Sequence, residues 1–166
     1  MILVRPARPD DEATLRAQYD RYIGDIVAVG ASYARDASGT WQPDYLSHWL
    51  APGDDHHVLV IEKGPRAVGF ALILDARSPH IGPDLDFCLC EFYVIPEARE
   101  RGVGTEAALA IFARLRGRWE VPEVPGNTRA IRFWRRVIGE HTGGQFWDGD
   151  RGDGPAQRFD NRVKGS

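Results

Sequence analysis

Glu91-Phe92-Tyr93-Val94-Ile95-Pro96-Glu97-Ala98-Arg99-Glu100-Arg101-Gly102-Val103-Gly104-Thr105 changes character twice within fifteen residues. An apolar run with strand character stops at Pro96. A tight Arg-x-x-Gly-x-Gly turn follows. Val103, Ala107, Ile111 and Leu115 then recur four apart, with Ala108 and Phe112 beside them, as one helical stripe. Glycines at 102 and 104 permit backbone angles that other residues resist, and they let a ligand approach the chain closely. The first amides of the new helix have no intrahelical acceptor, so they point at an anion such as a phosphate. Arg99 and Arg101 add positive charge beside them.

Outward from this stretch the chain reads as short alternating elements. Ile2-Leu3-Val4-Arg5 predicts a first strand. Pro9-Asp10-Asp11-Glu12 predicts a helix start, with Leu15, Tyr19, Tyr22, Ile23 and Ile26 at helical spacing behind it. Gly30 to Thr40 reads as a loop, and Asp44 to Leu50 as a short helix stopped near Pro52-Gly53. Val58 to Ile61 and Val68 to Leu74 form a hairpin about Gly64-Pro65-Arg66. Asp75 to Pro83 is a loop that leads to a strand over Phe87 to Ile95. Gly117 ends the central helix. Trp119 to Val121 is a short strand and Ala130 to Ile138 a helix. Gln145-Phe146-Trp147 and Gln157-Arg158-Phe159 flank a Gly/Asp-rich turn as a closing hairpin. The order β-α-α-β-β-β-α-β-α-β-β predicts a mixed α/β fold. Its central sheet is mostly antiparallel and flanked by helices, in one domain over residues 1–166.

A second motif lies downstream, Asn127-Thr128-Arg129-Ala130-Ile131-Arg132-Phe133-Trp134. In this order and spacing the two motifs resemble those of the GNAT superfamily of N-acyltransferases. That family carries Gln/Arg-x-x-Gly-x-Gly/Ala and, further on, Asn-x-x-Ala-x-x-Phe-Tyr. Arg99, Gly102 and Gly104 fall on the first pattern, and Asn127, Ala130 and Phe133 on the second. The resemblance covers about residues 1–140 and is strongest from Glu91 onward. It implies transfer of an acetyl group from acetyl-CoA to an amine acceptor, a small molecule or a peptide, in a ternary complex. The alternative is a non-catalytic acyl-CoA-binding sensor or interaction domain. By the same resemblance Arg99, Glu100, Arg101, Gly102, Val103, Gly104 and Thr105 hold the CoA pyrophosphate. Phe92, Tyr93 and Val94 hold the pantetheine arm and the acyl oxygen, on a strand that splays from its neighbour; an ordinary central strand has the same composition. The family resemblance also allows a homodimer paired through the last strands.

Glu91 is the candidate base. It is a carboxylate in an otherwise apolar strand, where burial raises the pKa toward the working range. The alternative is a carboxylate facing a solvated pocket or paired with an arginine. Trp134 stands where the family carries a tyrosine, and an indole N–H is no proton acid near neutral pH. Tyr93 and His141 are near in sequence. Asn127 precedes a helix and caps it, and by resemblance it also contacts the pantetheine arm. Ala130 is small where the arm must pass. Arg129, Arg132 and Arg136 share a helical face that meets either solvent or the nucleotide phosphates. Acceptor recognition is expected from Gly30 to Leu50, from the Asp75 to Pro83 loop and from the last hairpin. Asp36, Asp44, Asp75, Asp84 and Asp86 are carboxylates that either attract a cationic amine or simply keep these loops soluble.

Composition excludes several other classes. A chain of 166 residues with a net charge of -3 suits one soluble domain, and does not suit nucleic-acid binding by bulk charge. No apolar run is long enough to span a bilayer, and no secretory leader opens the chain, so a cytoplasmic protein is expected. Cys88 and Cys90 point to one face of a strand, where a disulfide between them would be strained. They read as small buried apolar residues, with a thiol nucleophile the lesser reading. No metal cluster is visible; His56-His57 reads as part of a solvated loop, and Asp148 to Asp153 as a turn without the closing glutamate of a calcium loop.

Overall fold

The computed structural model describes residues 1–100 and 102–162. The elements in chain order are β1 (Ile2–Pro6), α1 (Glu12–Val27), β2 (Ala34–Arg35), β3 (Trp41–Gln42), α2 (Tyr45–Leu50), β4 (His56–Lys63), β5 (Arg66–Asp75), β6 (Phe87–Val94), α3 (Val103–Arg114), β7 (Arg118–Pro122), α4 (Thr128–Thr142), β8 (Trp147–Asp150) and β9 (Pro155–Asp160). Seven strands form one sheet in the order β1-β4-β5-β6-β7-β9-β8. Every pairing is antiparallel except β6 with β7. The mixed fold and its mostly antiparallel sheet are as the sequence predicts.

The centre of the sheet follows from β5. Val68, Phe70, Ala71, Leu72 and Ile73 are all buried, so this strand is apolar on both faces and must be covered on both. Helix α1 packs on β5, α2 on β4, α3 on β1 and α4 on β9. The predicted helical stripes supply the covering side chains. Leu15, Tyr19, Ile23 and Ile26 are buried on α1, and Val103, Ala107, Ala108, Ile111 and Phe112 on α3.

The departures from expectation are local. His56 and His57 sit on β4, not in a loop; the His57 ring lies 3.2 Å from the Asp75 carboxylate. Asp75 closes β5 instead of opening a loop, and the Arg77 guanidinium beside it lowers its pKa to about 2. The segment between α1 and α2 folds back on itself through the β2–β3 pair. Helix α3 ends at Arg114, three residues before Gly117. Gly117 serves packing instead: a Cβ there would stand 2.6 Å from the Cβ of Asp86, whose carboxylate binds Arg118.

Two irregularities of β6 shape the space beside it. Against β5, Leu72 faces Glu91 and Ile73 faces Leu89, so Cys90 is an extra, bulged residue. Against β7, only Phe87 with Trp119 and Cys88 with Glu120 are paired. Beyond Cys88 the two strands part. The remainder of β6 keeps β5 on one side and loses its sheet neighbour on the other.

Candidate active site

A groove of about 620 Å³ runs along the free edge of β6 to the glycine turn. Of the residues assigned by sequence to CoA, Phe92, Tyr93, Val94, Arg99, Glu100, Gly102, Gly104, Thr105, Asn127, Ala130 and Phe133 line it. Val103 does not: its side chain is buried in the core, so only its backbone belongs to the turn. Arg101 lies outside the described residues.

The turn is built by two glycines with different tasks. Gly102 caps α3 in the left-handed region, φ +92°, a conformation that side chains disfavour. Gly104 is helical and lies under the Phe133 ring, 3.2 Å from where its Cβ would be. The Glu106 amide reaches back to the Gly102 carbonyl at 2.8 Å, and the Val103 amide to the Glu100 carbonyl at 3.3 Å. Arg99 lines the groove and has a second task. Its Nε donates to the Val94 carbonyl at 2.7 Å, and its guanidinium lies 3.6 Å from Asp25. It therefore fastens the turn to the end of β6. Arg129 and Arg136 of α4 supply positive charge at the groove, and Arg136 also donates to Thr105 Oγ1 at 3.3 Å.

A second cleft, of about 360 Å³, continues past the bulge. Its walls include Cys90 and Glu91 from β6, Pro122 at the end of β7 with Glu123 to Pro125 after it, Tyr33 before β2, and Arg151 and Asp153 from the last hairpin. The two spaces share a wall made of Tyr22, Ile26, Phe92, Asn127, Ala130 and Trp134. Asn127 caps α4, accepting from the Ala130 amide at 3.1 Å, and both Asn127 and Ala130 stand on that wall. Gly126 brings the segment in: a Cβ there would stand 2.1 Å from the Val29 carbonyl oxygen.

Glu91 sits in the second cleft. Burial pushes its carboxyl up to about 7, and a hydrogen bond from the Tyr22 hydroxyl pulls it back only in part. The pairing with arginine is absent among the described residues; the partner is a phenol. Tyr22 is itself pushed well above its ordinary value by burial and by the Glu91 charge. Cys90 lines the same cleft with its Sγ 3.7 Å from that of Cys88, and both thiols are free. The Cys90 thiol is held strongly toward its protonated form by its contact with Cys88 and by burial.

Other expectations move. Trp134 is buried and packs against Phe92, Phe112 and Phe133, a core role beside the site. His141 stacks on Phe112 and lines neither space, while Tyr93 lines the groove with its hydroxyl buried and without a partner among the described residues. Asp36, Asp44, Asp75, Asp84 and Asp86 are absent from the cleft. Asp36 is spent on Ser38, Thr40 and Gln42, Asp44 on Ser47, Asp75 on Arg77, and Asp86 on Arg118. The Asp75 to Pro83 loop likewise contributes no wall residue. Sequence reasoning missed Tyr22, which was legible only as a core residue of α1. It also missed the Pro122 to Pro125 segment, which carries no motif.

The described chain matches the sequence profile of the Acetyltransferase (GNAT) family over residues 25–139. The chain belongs to the GNAT acetyltransferase family. No match was found among curated proteins. Solved structures of GNAT acetyltransferases share the fold at low identity. A GCN5-related N-acetyltransferase from Kribbella flavida is 20% identical, with a TM-score of 0.63 and 96% of this chain and 98% of that one covered. A PaiA N-acetyltransferase from Thermoplasma acidophilum, in complex with coenzyme A, is 14% identical, with a TM-score of 0.62 over 97% and 99%. An aminoglycoside acetyltransferase in complex with coenzyme A is 17% identical, with a TM-score of 0.66 over 98% and 96%. Membership of the GNAT family supports acyl transfer from a CoA-linked donor. Among the described residues no group of His, Cys, Asp and Glu could hold a metal ion, and no helix is long and apolar enough to cross a membrane.

Proposed function

We propose that this protein is an N-acetyltransferase that moves acetyl from acetyl-CoA directly to the amine of a small acceptor in a ternary complex. The observation that carries this reading is the meeting of two spaces at the parting of β6 from β7. Donor and acceptor enter from opposite sides of one wall, so no enzyme-bound acyl intermediate is needed. The pyrophosphate lies at the Gly102 to Thr105 turn, and the pantetheine arm takes the place of the missing strand along Phe92, Tyr93 and Val94. Backbone groups freed by the parting hold and polarise the acyl carbonyl. Glu91, with a pKa near the working pH, takes the proton from the amine.

The departing thiolate needs one proton, and Trp134 has none to give. Tyr22 is the phenol on the shared wall. It gives its proton to the sulfur and recovers one from Glu91, so the amine proton ends on the thiol and the pair is restored. This relay is part of the proposal.

Two measurements test the reading. Acetyl-CoA should raise the unfolding temperature saturably, because it binds only the folded state. A Gly104→Trp variant that melts like the wild type without ligand should lose that shift, since an indole there fills the turn. Thiol release from acetyl-CoA with a panel of primary amines then tests transfer. Stabilisation without release from any amine would replace the enzyme reading with that of an acyl-CoA-binding module.

A further inference from the structure

Glu123 follows β7 and lines the second cleft, and nothing in the chemistry above uses it. Both of its carboxylate oxygens are buried, and neither has a hydrogen-bond partner among the described residues. Gln157, on the neighbouring β9, repeats the pattern. One N–H of its amide goes to Asp148 at 3.2 Å, and its own carbonyl oxygen is buried without a donor among the described residues. The Glu123 carboxyl is thus buried at the wall of the cleft without an ordinary hydrogen bond among the described residues, with the Gln157 amide beside it. Native interiors seldom leave such groups unpaired, because each loses its water for nothing. Burial pushes the Glu123 carboxyl up to about 8. Gln157 and Arg135 pull the other way, and Asp148 adds to the rise.

The remaining charges in the cleft are already matched. Arg151 bridges Glu120 at 2.6 Å and Asp153 at 2.6 Å. A ligand anion therefore finds no uncommitted cation among the described wall residues, whereas a ligand cation finds two carboxyls. Cys88 pairs with Glu120, and Glu91 and Glu123 each lie three residues beyond that last paired position in the chain, Glu123 just past the end of β7.

Resting on the acetyltransferase reading, we infer that Glu123 anchors a second, cationic nitrogen of the acceptor, so that the acceptor is a small diamine acetylated at the nitrogen nearer Glu91. The second nitrogen supplies the donors that Glu123 lacks. Monoamines lack this contact, and amino acids that place a carboxylate there meet repulsion.

Binding alone tests the assignment, so its failure is separate from a failure of acetyl transfer. Putrescine, n-butylamine and γ-aminobutyrate are titrated calorimetrically into the wild type, Glu123→Gln and Glu123→Asp in two buffers of different ionisation enthalpy. Putrescine is expected to bind the wild type at least about ten-fold more tightly than n-butylamine, the scale of one charged hydrogen bond. Glu123→Gln should abolish that preference and leave n-butylamine unchanged, with an unfolding temperature no lower than the wild type's. Near neutral pH the empty Glu123 is mostly protonated, so putrescine should release a proton that Glu123→Gln does not. Glu123→Asp should keep part of the preference. Equal binding of putrescine and n-butylamine, a preference that survives Glu123→Gln, or no amine binding at all would each overturn the inference.

Discussion

At the scale of single residues, Glu91 shows how far composition can carry an argument. A lone carboxylate in an apolar strand was readable as a buried acid, and the structure gives it a cleft and a pKa pushed up to about 7. Its partner Tyr22 was not readable as such, because a helical stripe records which side chains face inward and not which of them meets a strand residue 69 positions away. Glu91→Gln should lower kcat by about 10²–10⁴-fold, the usual worth of a positioned base, with little change in the KM for acetyl-CoA. A base works deprotonated, so kcat/KM of the wild type should rise with pH through about 7, and steady-state pH profiles should show this limb lost in Glu91→Gln. Tyr22→Phe should slow turnover while leaving acetyl-CoA stabilisation intact in thermal melts. Trp134 belongs to the core. Trp134→Ala should cost about 3–5 kcal/mol in chemical denaturation, as expected for removing a buried aromatic.

At the scale of elements, the glycine turn was legible and the parting of strands was not. Gly102 and Gly104 mark a backbone that must turn and admit something close, and such demands are written in residue type. The parting depends on where β7 stops pairing, and a strand with one neighbour or two has the same apolar pattern. The acid residues chosen for the acceptor failed for a related reason. Their charge is visible in the sequence, but the arginines and hydroxyls that consume it are placed by the fold. Gly126 tests how the elements are locked. Alanine there drives a Cβ toward the Val29 carbonyl, which is backbone and cannot swing away. Gly126→Ala should therefore lose more than about 1 kcal/mol of stability and also weaken acetyl-CoA binding, read together from denaturation with and without ligand.

At the scale of the whole molecule, two buried carboxyls should leave a signature in stability against pH. Folded Glu91 keeps its proton up to about 7 and folded Glu123 up to about 8, from an ordinary value of 4.5. Across that window the folded state binds more protons than the unfolded chain, so stability should fall as pH rises. Asp75, held down to about 2, acts below this window, and His141, lowered by burial, works weakly against the trend within it. Denaturant midpoints at about pH 5 and about pH 8 should differ less in the Glu91→Gln, Glu123→Gln double variant than in the wild type. An unchanged difference would mean that neither group carries its proton into the folded state.

The fork in the sheet has a consequence for how such a chain can change over time. The turn we propose for the donor is coded between Ile95 and Thr105, while the outer walls of the neighbouring space include Tyr33, Pro122 to Pro125, Arg151 and Asp153. Most of the grammar for giving is thus spelled in one stretch, and most of the grammar for receiving in three others. Drift confined to those three can rewrite the recipient while the giver stays the same, so a library restricted to them is the shortest route from this scaffold to a new substrate.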